Sequence, residues 1–331
     1  MIWAVVIAFI ACLAVGPVLL PVLRRLKFGQ NVYEYAPESH QKKQGTPTMG
    51  GWMICLVSVA VAAALHLGGW APRTDMMLAA LLLALGNLCV GFADDMSKIR
   101  RKHNKGLSPK QKMLAQVLLG AAFAFYCYAH PQVGPRIVVP FFQTEWDLGW
   151  FYIPAAIFII VGTTNSANLL DGLDGLLGSV ALVDAATFGL LALFAAGTAQ
   201  GNDQRELMNL AVLGCAVAGA CMGFLRFNVY PARLFMGDTG SMFLGGVVVA
   251  LALLLRLPLL LPLIAFCMLI SSLSDIIQIG YYKLTHGKRV FKMAPIHHHF
   301  EKLGNPESKI VAMYTIVTVL LCLVSLLSVA R

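Results

Sequence analysis

Acidic residues are scarce in this sequence, and they come in groups. Only 16 of its 331 residues are Asp or Glu, yet Asp94 and Asp95 stand side by side at the end of a long apolar run. Two adjacent carboxylates ending an apolar helix are costly unless a cation compensates them. Lys98, one helical turn on, would do so as a plain interfacial salt bridge. The alternative is a Mg²⁺ site, because that hard ion takes oxygen ligands from one or two carboxylates plus substrate phosphates. A second group lies in residues 165–175, where Asn165, Asn168, Asp171 and Asp174 share a stretch without Lys or Arg. Asp-Gly repeated at three-residue spacing suits successive turns. The absence of any cation argues instead that these acids serve a site, though not a calcium loop, whose twelve-residue spacing is missing.

The third group is Asn228, Tyr230, Arg233, Phe235 and Gly237-Asp238-Thr239-Gly240-Ser241. An ordinary helix cap would look like this. So would a phosphate cradle, in which N–H groups at a helix start meet phosphate oxygens and Asp238 holds a cation. His297, His298 and His299 form the fourth group. On a helix they fan over about 200°, so one zinc cannot take all three. Donation to phosphate or sugar oxygens, or proton transfer near neutral pH, suits them better. A fifth element, residues 42–51, sets Lys42 and Lys43 before Thr46-Pro47-Thr48-Met49-Gly50-Gly51; it is either a loop-to-helix cap or an anion contact.

What must position these groups is a membrane domain. The chain is 58% hydrophobic and only 12% charged, about half the charged share of a soluble domain. Its apolar share, about 192 residues, furnishes roughly ten bilayer spans. Apolar runs fall near 2–23, 49–69, 76–93, 112–130, 151–166, 176–196, 207–225, 240–256, 259–282 and 309–330. The ninth, with Pro258, Pro262, Gly280 and several polar residues, is expected to be broken or to line a cavity. We read 1–331 as one all-α polytopic domain. Its first run is a span rather than a signal peptide, lacking a basic n-region and a small-residue cleavage site. The eight cysteines lie within apolar runs and are expected to be buried hydrophobes.

Twenty of the 25 Lys and Arg follow odd-numbered spans, which puts those loops, and with them the polar groups, on the cytoplasmic side and both termini outside. The net charge of +9 then reflects topology and anionic headgroups, with membrane lipids rather than nucleic acid as partners. The outer connections are short or featureless.

Taken in order, Asp94-Asp95-x-x-Lys98, Asn168-x-x-Asp171-Gly-x-Asp174-Gly and Phe235-Met-Gly-Asp238-Thr-Gly-Ser241 resemble the polyprenyl-phosphate N-acetylhexosamine-1-phosphate transferase superfamily along essentially the whole chain. Ala294-Pro-Ile-His297-His298-His299-Phe-Glu301 and Gly45-Thr-Pro-Thr-Met-Gly-Gly51 are similar to its muramoyl-pentapeptide branch. The resemblance implies a Mg²⁺-dependent enzyme of the bacterial inner membrane, working as a homodimer. It would move phospho-N-acetylmuramoyl-pentapeptide from UDP-N-acetylmuramoyl-pentapeptide to undecaprenyl phosphate, giving lipid I and UMP. It further implies Asp238 as metal ligand. Asp94 and Asp95 would serve the lipid phosphate, as base or as nucleophile, with Lys98, Lys102 and Lys110 on phosphate. The nucleoside pocket would comprise Lys43, Thr48, Gly172, Leu173, Asp174 and Phe235, and Asn168, Asp171, Asn228, Ser241, Gln278 and His297 to His299 would complete the cleft. Two rivals stand beside this reading: a sister N-acetylglucosamine-1-phosphate transferase, which shares the acidic motifs, and a transporter of nucleotide sugars or lipid phosphates. A transporter places polar groups at mid-membrane and on both faces, whereas here they gather on one.

Overall fold

A computed structural model of the chain describes residues 1–25, 45–67, 75–101, 106–142 and 144–328. The elements in order are α1 (Ile2–Arg25), α2 (Gly51–Leu67), α3 (Asp75–Arg101), α4 (Pro109–Ala129), β1 (Arg136–Val139), β2 (Thr144–Asp147), α5 (Tyr152–Leu170) and α6 (Leu176–Thr198). They continue with α7 (Gly201–Asn228), α8 (Gly237–Leu254), α9 (Leu261–Ile264), α10 (Phe266–Leu284), α11 (Ile296–Lys302) and α12 (Glu307–Leu327). Eight of the described helices are long and apolar enough to cross a membrane, or nine if the bent pair Pro258–Ile264 and Phe266–Leu284 counts as one span. The chain is an all-α polytopic membrane protein.

At its centre stands α8, which is walled by α2, α3, α5 and α6. Its sequence explains the place: it is apolar on every side, as a fully surrounded helix must be, and its small residues admit neighbouring backbones. A Cβ on Gly245 would meet Thr164 Cα at 2.8 Å, and one on Gly246 would meet Ala84 Cα at 3.0 Å. A second close crossing joins α1 to α7, where Gly219 and Gly223 lie four apart and face Val5, Phe9 and Cys12. The outward side chains of α1 and α12, including Ile7, Ile10, Val18, Ile316, Leu320 and Leu323, are exposed, as lipid-facing side chains are.

Several boundaries differ from the sequence reading, for physical reasons. Helix α3 continues past Asp95 to Arg101, because Lys98 pairs with Asp94 at i,i+4 and with Asp95 at i,i+3. The two acids are therefore set inside a helix rather than at its end. Helix α5 likewise runs on to Leu170 and carries Asn165 and Asn168. Its polar side chains are accommodated there: Thr164 Oγ1 donates to Ile160 O, and Asn165 donates to Val161 O and to Gln116 Oε1. The expected break in the ninth run is present, an 84° bend beside Pro258 and Pro262, while Gly280 lies within unbroken α10. The connection read as featureless contains an antiparallel hairpin, β1–β2, pairing Arg136 with Asp147 and Val139 with Thr144. Seven cysteines are buried as expected, but Cys89 is exposed.

Candidate active site

One end of the bundle collects the polar groups. Helix α3 brings Asp94, Asp95 and Lys98; α4 brings Lys112; α5 brings Asn168; and α8 opens on Asp238, Thr239 and Ser241. The start of α4 is fixed by a capping box, Ser108 with Gln111, and by Pro109 in the first turn. That start sets the height of Lys112. Helix α8 starts at Gly237, whose φ of +74° lies in the left-handed region that glycine occupies without strain.

Asp95 caps α8 from a different helix. Its Oδ1 accepts the Asp238 N–H at 3.3 Å, and its Oδ2 accepts the Thr239 N–H at 2.9 Å and the Thr239 hydroxyl at 2.7 Å. A carboxylate on the first amides of a helix satisfies donors that have no partner within it, and its charge complements the helix dipole. The helices touch at backbone level here, since a Cβ on Gly91 would lie 2.2 Å from Asp238 O.

Asp238 itself is held by cations and an amide. Lys98 Nζ lies 3.1 Å and Lys112 Nζ 3.2 Å from its Oδ2, and Asn168 Nδ2 donates to its Oδ1 at 2.9 Å. Asn168 is oriented for this by Lys112, which donates to its Oδ1 at 3.0 Å, and it also donates to Ser241 Oγ at 2.9 Å. Lys98 further bridges to Asp94 at 2.7 Å, and the Leu107 N–H donates to the other Asp94 oxygen at 2.7 Å. One oxygen from each of Asp94, Asp95 and Asp238 lies within 4.8 Å of the others. Three clustered carboxylates with only hard oxygen donors fit a divalent cation of the Mg²⁺ type. Asp94, Asp95 and Asp238, read from sequence as two separate candidate Mg²⁺ positions, are here one group that could hold such an ion.

Around this cluster, backbone pairing fixes the flanking loops. The Phe235 N–H donates to Pro47 O at 2.8 Å, and the Gly50 and Gly51 N–H groups donate to Phe235 O and Met236 O at 2.8 and 3.0 Å. Residues 47–51 thus strap the turn bearing Phe235, and Thr48 Oγ1 sits 2.9 Å from where a Cβ on Gly237 would be. The loop after α5 is tied down where it enters α6. Glu307 Oε2 accepts the Asp174 N–H at 3.2 Å, Asp174 Oδ2 accepts the Ala232 N–H at 2.9 Å, and Asn228 Oδ1 accepts the Gly175 N–H at 3.1 Å. Within it, the Asp171 carboxyl is pushed up to about 8 by burial and by the charges of Asp238, Asp95 and Asp174, against a hydrogen bond from the Gly237 N–H.

The histidines approach this loop from α11. A Cβ on Gly172 would meet His297 Nε2 at 2.4 Å and His298 Nε2 at 3.0 Å, so only glycine fits beneath the two rings. His298 Nδ1 pairs with Glu301 at 3.1 Å, while His299 turns away to accept the Lys292 N–H at 3.1 Å. This divergence is the fan expected of three consecutive helical positions. Gln278, expected in the cleft, spends both ends of its amide on the backbone of Val290 and Phe291. Leu173 is a buried member of that loop, Phe235 is half-buried in the turn strapped by residues 47–51, and Lys110 is exposed on the first turn of α4. Lys43 and Lys102 lie outside the described residues. Sequence reasoning left out Lys112 and Thr239. A lysine in the first turn of an apolar helix was the available signal for the first.

These features define a polytopic membrane protein with acids and lysines clustered at one end of its bundle. In agreement, residues 77–256 match the family model described as glycosyl transferase family 4. The chain is 45% identical over 331 residues to a Clostridium novyi protein named phospho-N-acetylmuramoyl-pentapeptide-transferase, covering all of this chain and 97% of that one. Proteins of the same name from Clostridium perfringens and Clostridium kluyveri are each 44% identical, over 98% and 99% of this chain and 95% and 99% of their own lengths. The chain belongs to the phospho-N-acetylmuramoyl-pentapeptide-transferase family. Neither the glucosamine branch nor the transporter reading is favoured by these relatives.

Proposed function

We propose that this chain transfers phospho-N-acetylmuramoyl-pentapeptide from its UDP carrier to undecaprenyl phosphate, releasing UMP and forming lipid I. The observation that carries the reading is the meeting of Asp94, Asp95 and Asp238 with Lys98 and Lys112 at one end of the bundle. An oxygen of the lipid phosphate bonds to the sugar-bearing phosphorus of the donor, and the bond from that phosphorus to the UMP oxygen breaks. Asp238 would be the principal ligand of Mg²⁺ at this acidic cluster, and the ion would supply neutralisation of the diphosphate charge.

The chain's own groups do the positioning. Lys98 and Lys112 change partners from Asp238 to phosphate oxygens, and Asn168 keeps Asp238 oriented. Asp95 is engaged by α8 and Asp94 by Lys98 and the Leu107 N–H; as Lys98 turns to phosphate it releases Asp94 to take the proton of the lipid phosphate. Phe235 stacks on uracil, with Lys43, Thr48, Gly172, Leu173 and Asp174 around the nucleoside. His297 and His298 donate to sugar or phosphate oxygens. In this reading 1–331 is a single catalytic unit of about ten crossings with both termini outside and the acidic end facing the cytoplasm of a bacterial inner membrane. It works as a homodimer, which light scattering of the detergent-solubilised protein would detect.

The test is UMP release by purified protein with undecaprenyl phosphate, with and without Mg²⁺, and with UDP-N-acetylglucosamine as competing donor. Release from the muramoyl donor alone, dependent on lipid and Mg²⁺ and abolished in Asp238→Ala, is the expected result. Release from the glucosamine donor alone overturns the substrate assignment, and full Asp238→Ala activity in saturating Mg²⁺ overturns the metal assignment.

A further inference from the structure

A groove of about 650 Å³ opens between α1 and the last two turns of α7, away from the acidic cluster. Phe9 and Leu13 form one wall, and Met222, Leu225 and Phe227 the other. Arg226, Tyr230 and Arg233 stand at its rim. The two helices run parallel, because Gly219 faces Val5, Gly223 faces Phe9 and Cys12, and Gly16 faces Phe227 in turn. Their C-terminal ends, with the rim, therefore lie at the same end of the bundle, where α1 finishes on Arg24 and Arg25.

The chemistry of the groove is divided along its length. Its walls are hydrocarbon and aromatic, and Met222 is exposed as a lipid-facing side chain would be. Its rim carries two exposed guanidiniums, and among the described residues neither pairs with a carboxylate. An apolar slot with cations that pair with no described carboxylate, at the headgroup level, matches a molecule with an acyl chain below and a phosphate above. Arginine suits the phosphate end because its planar fork meets two oxygens at once.

We propose that this groove is a binding site for an anionic glycerophospholipid, its acyl chain between α1 and α7 and its phosphate on Arg226 and Arg233. The lipid is a bulk membrane component and not the reacting one, since none of Asp94, Asp95, Asp238, Lys98 and Lys112 borders the groove. It nevertheless rests on the turn that leads into the active site. The Arg233 and Leu234 N–H groups both donate to Phe227 O, at 2.8 and 3.2 Å, and the Ala232 N–H is held by Asp174. A phosphate on Arg233 thus restrains residues 229–236, which end beside Gly237 and Asp238.

Native mass spectrometry of the full chain tests this without reference to turnover, so its outcome is separate from that of the transferase assignment. Phosphatidylglycerol, phosphatidylcholine, undecaprenyl phosphate and inorganic phosphate are offered to the delipidated protein. One phosphatidylglycerol is expected to be retained, at least tenfold over phosphatidylcholine, and undisplaced by equimolar undecaprenyl phosphate or by inorganic phosphate. The double variant Arg226→Gln/Arg233→Gln loses that preference. Met222→Trp, which fills the slot and keeps the charges, loses retention as well. Equal retention of both phospholipids, unchanged retention in the variants, or displacement by undecaprenyl phosphate would each overturn the site.

Discussion

Adding a single methyl group at Gly91 should disable the enzyme without unfolding it. A Cβ there would stand 2.2 Å from Asp238 O, 2.6 Å from Asp238 C and 2.9 Å from Thr239 N. Ordinary van der Waals contact begins near 3.4 Å, so α3 and α8 must part by about 1.2 Å. No side chain can swing away, because every obstructing atom is backbone. The displacement falls between Asp94 and Asp95 on one helix and Asp238 on the other. A misplacement of about 1 Å costs roughly 100-fold in rate, which is about 2.7 kcal/mol of barrier. Gly91→Ala should therefore release UMP about 100-fold more slowly, with a stability loss of about 1–3 kcal/mol from overpacking. Gly86→Ala, one to two turns earlier on the same helix, is the control. Its Cβ would meet Leu119 Cδ2 at 2.6 Å, and that flexible side chain can re-orient. The two variants are compared by UMP release, circular dichroism and thermal melting in one detergent. Gly91→Ala turning over within threefold of wild type, or Gly86→Ala losing as much as Gly91→Ala, would refute the reasoning.

Three further substitutions probe other parts of the site. Lys112→Met removes one of the two cations on Asp238 and the donor that orients Asn168, and should slow UMP release by 10- to 100-fold, about 1.4–2.7 kcal/mol of barrier, while methionine's apolar length preserves folding; wild-type turnover would exclude the role. Phe235→Ala should weaken binding of a uridine nucleotide by about 1–3 kcal/mol, the scale of base stacking on aromatic rings, as read by calorimetry. Glu307→Ala frees the Asp174 N–H, a hydrogen bond to a charged acceptor of about 1.5–3 kcal/mol, and should raise KM for the UDP donor more than it lowers kcat; the reverse pattern would place Glu307 in the chemical step.

Much of the site was legible because the medium makes polar residues conspicuous. In an apolar chain Asp94, Asp95 and Asp238 stand out, and their spacing relative to Lys98 and the glycines pointed to the end of the bundle where the structure brings them together. Less legible was which atoms answer one another. Thr239 shows nothing in sequence to mark it as the partner of Asp95, because that contact depends on α8 starting against the side of α3. Nor does the sequence show that the amide of Gln278, placed in the cleft by the resemblance, fastens the loop after α10. The extents of α3 and α5 were underestimated for a shared reason. Polar side chains ended the apolar count, yet pairing within the helix and with Gln116 lets the backbone continue. The β1–β2 hairpin was overlooked since its strands are only four residues each.

The cross-helix cap on α8 has a consequence for the order of synthesis. Asp95 and the Asp238 amide it accepts are 143 residues apart. At about 5–20 residues per second of chain elongation, roughly 7–30 s pass between the emergence of the acidic pair and that of the helix it caps. Through that interval Asp94 and Asp95 wait in an unfinished bundle with Lys98 as the nearest partner in their own helix. The lysine one turn along, which pairs with both carboxylates inside their own helix, is thus the partner available to them before the helix that Asp95 caps exists.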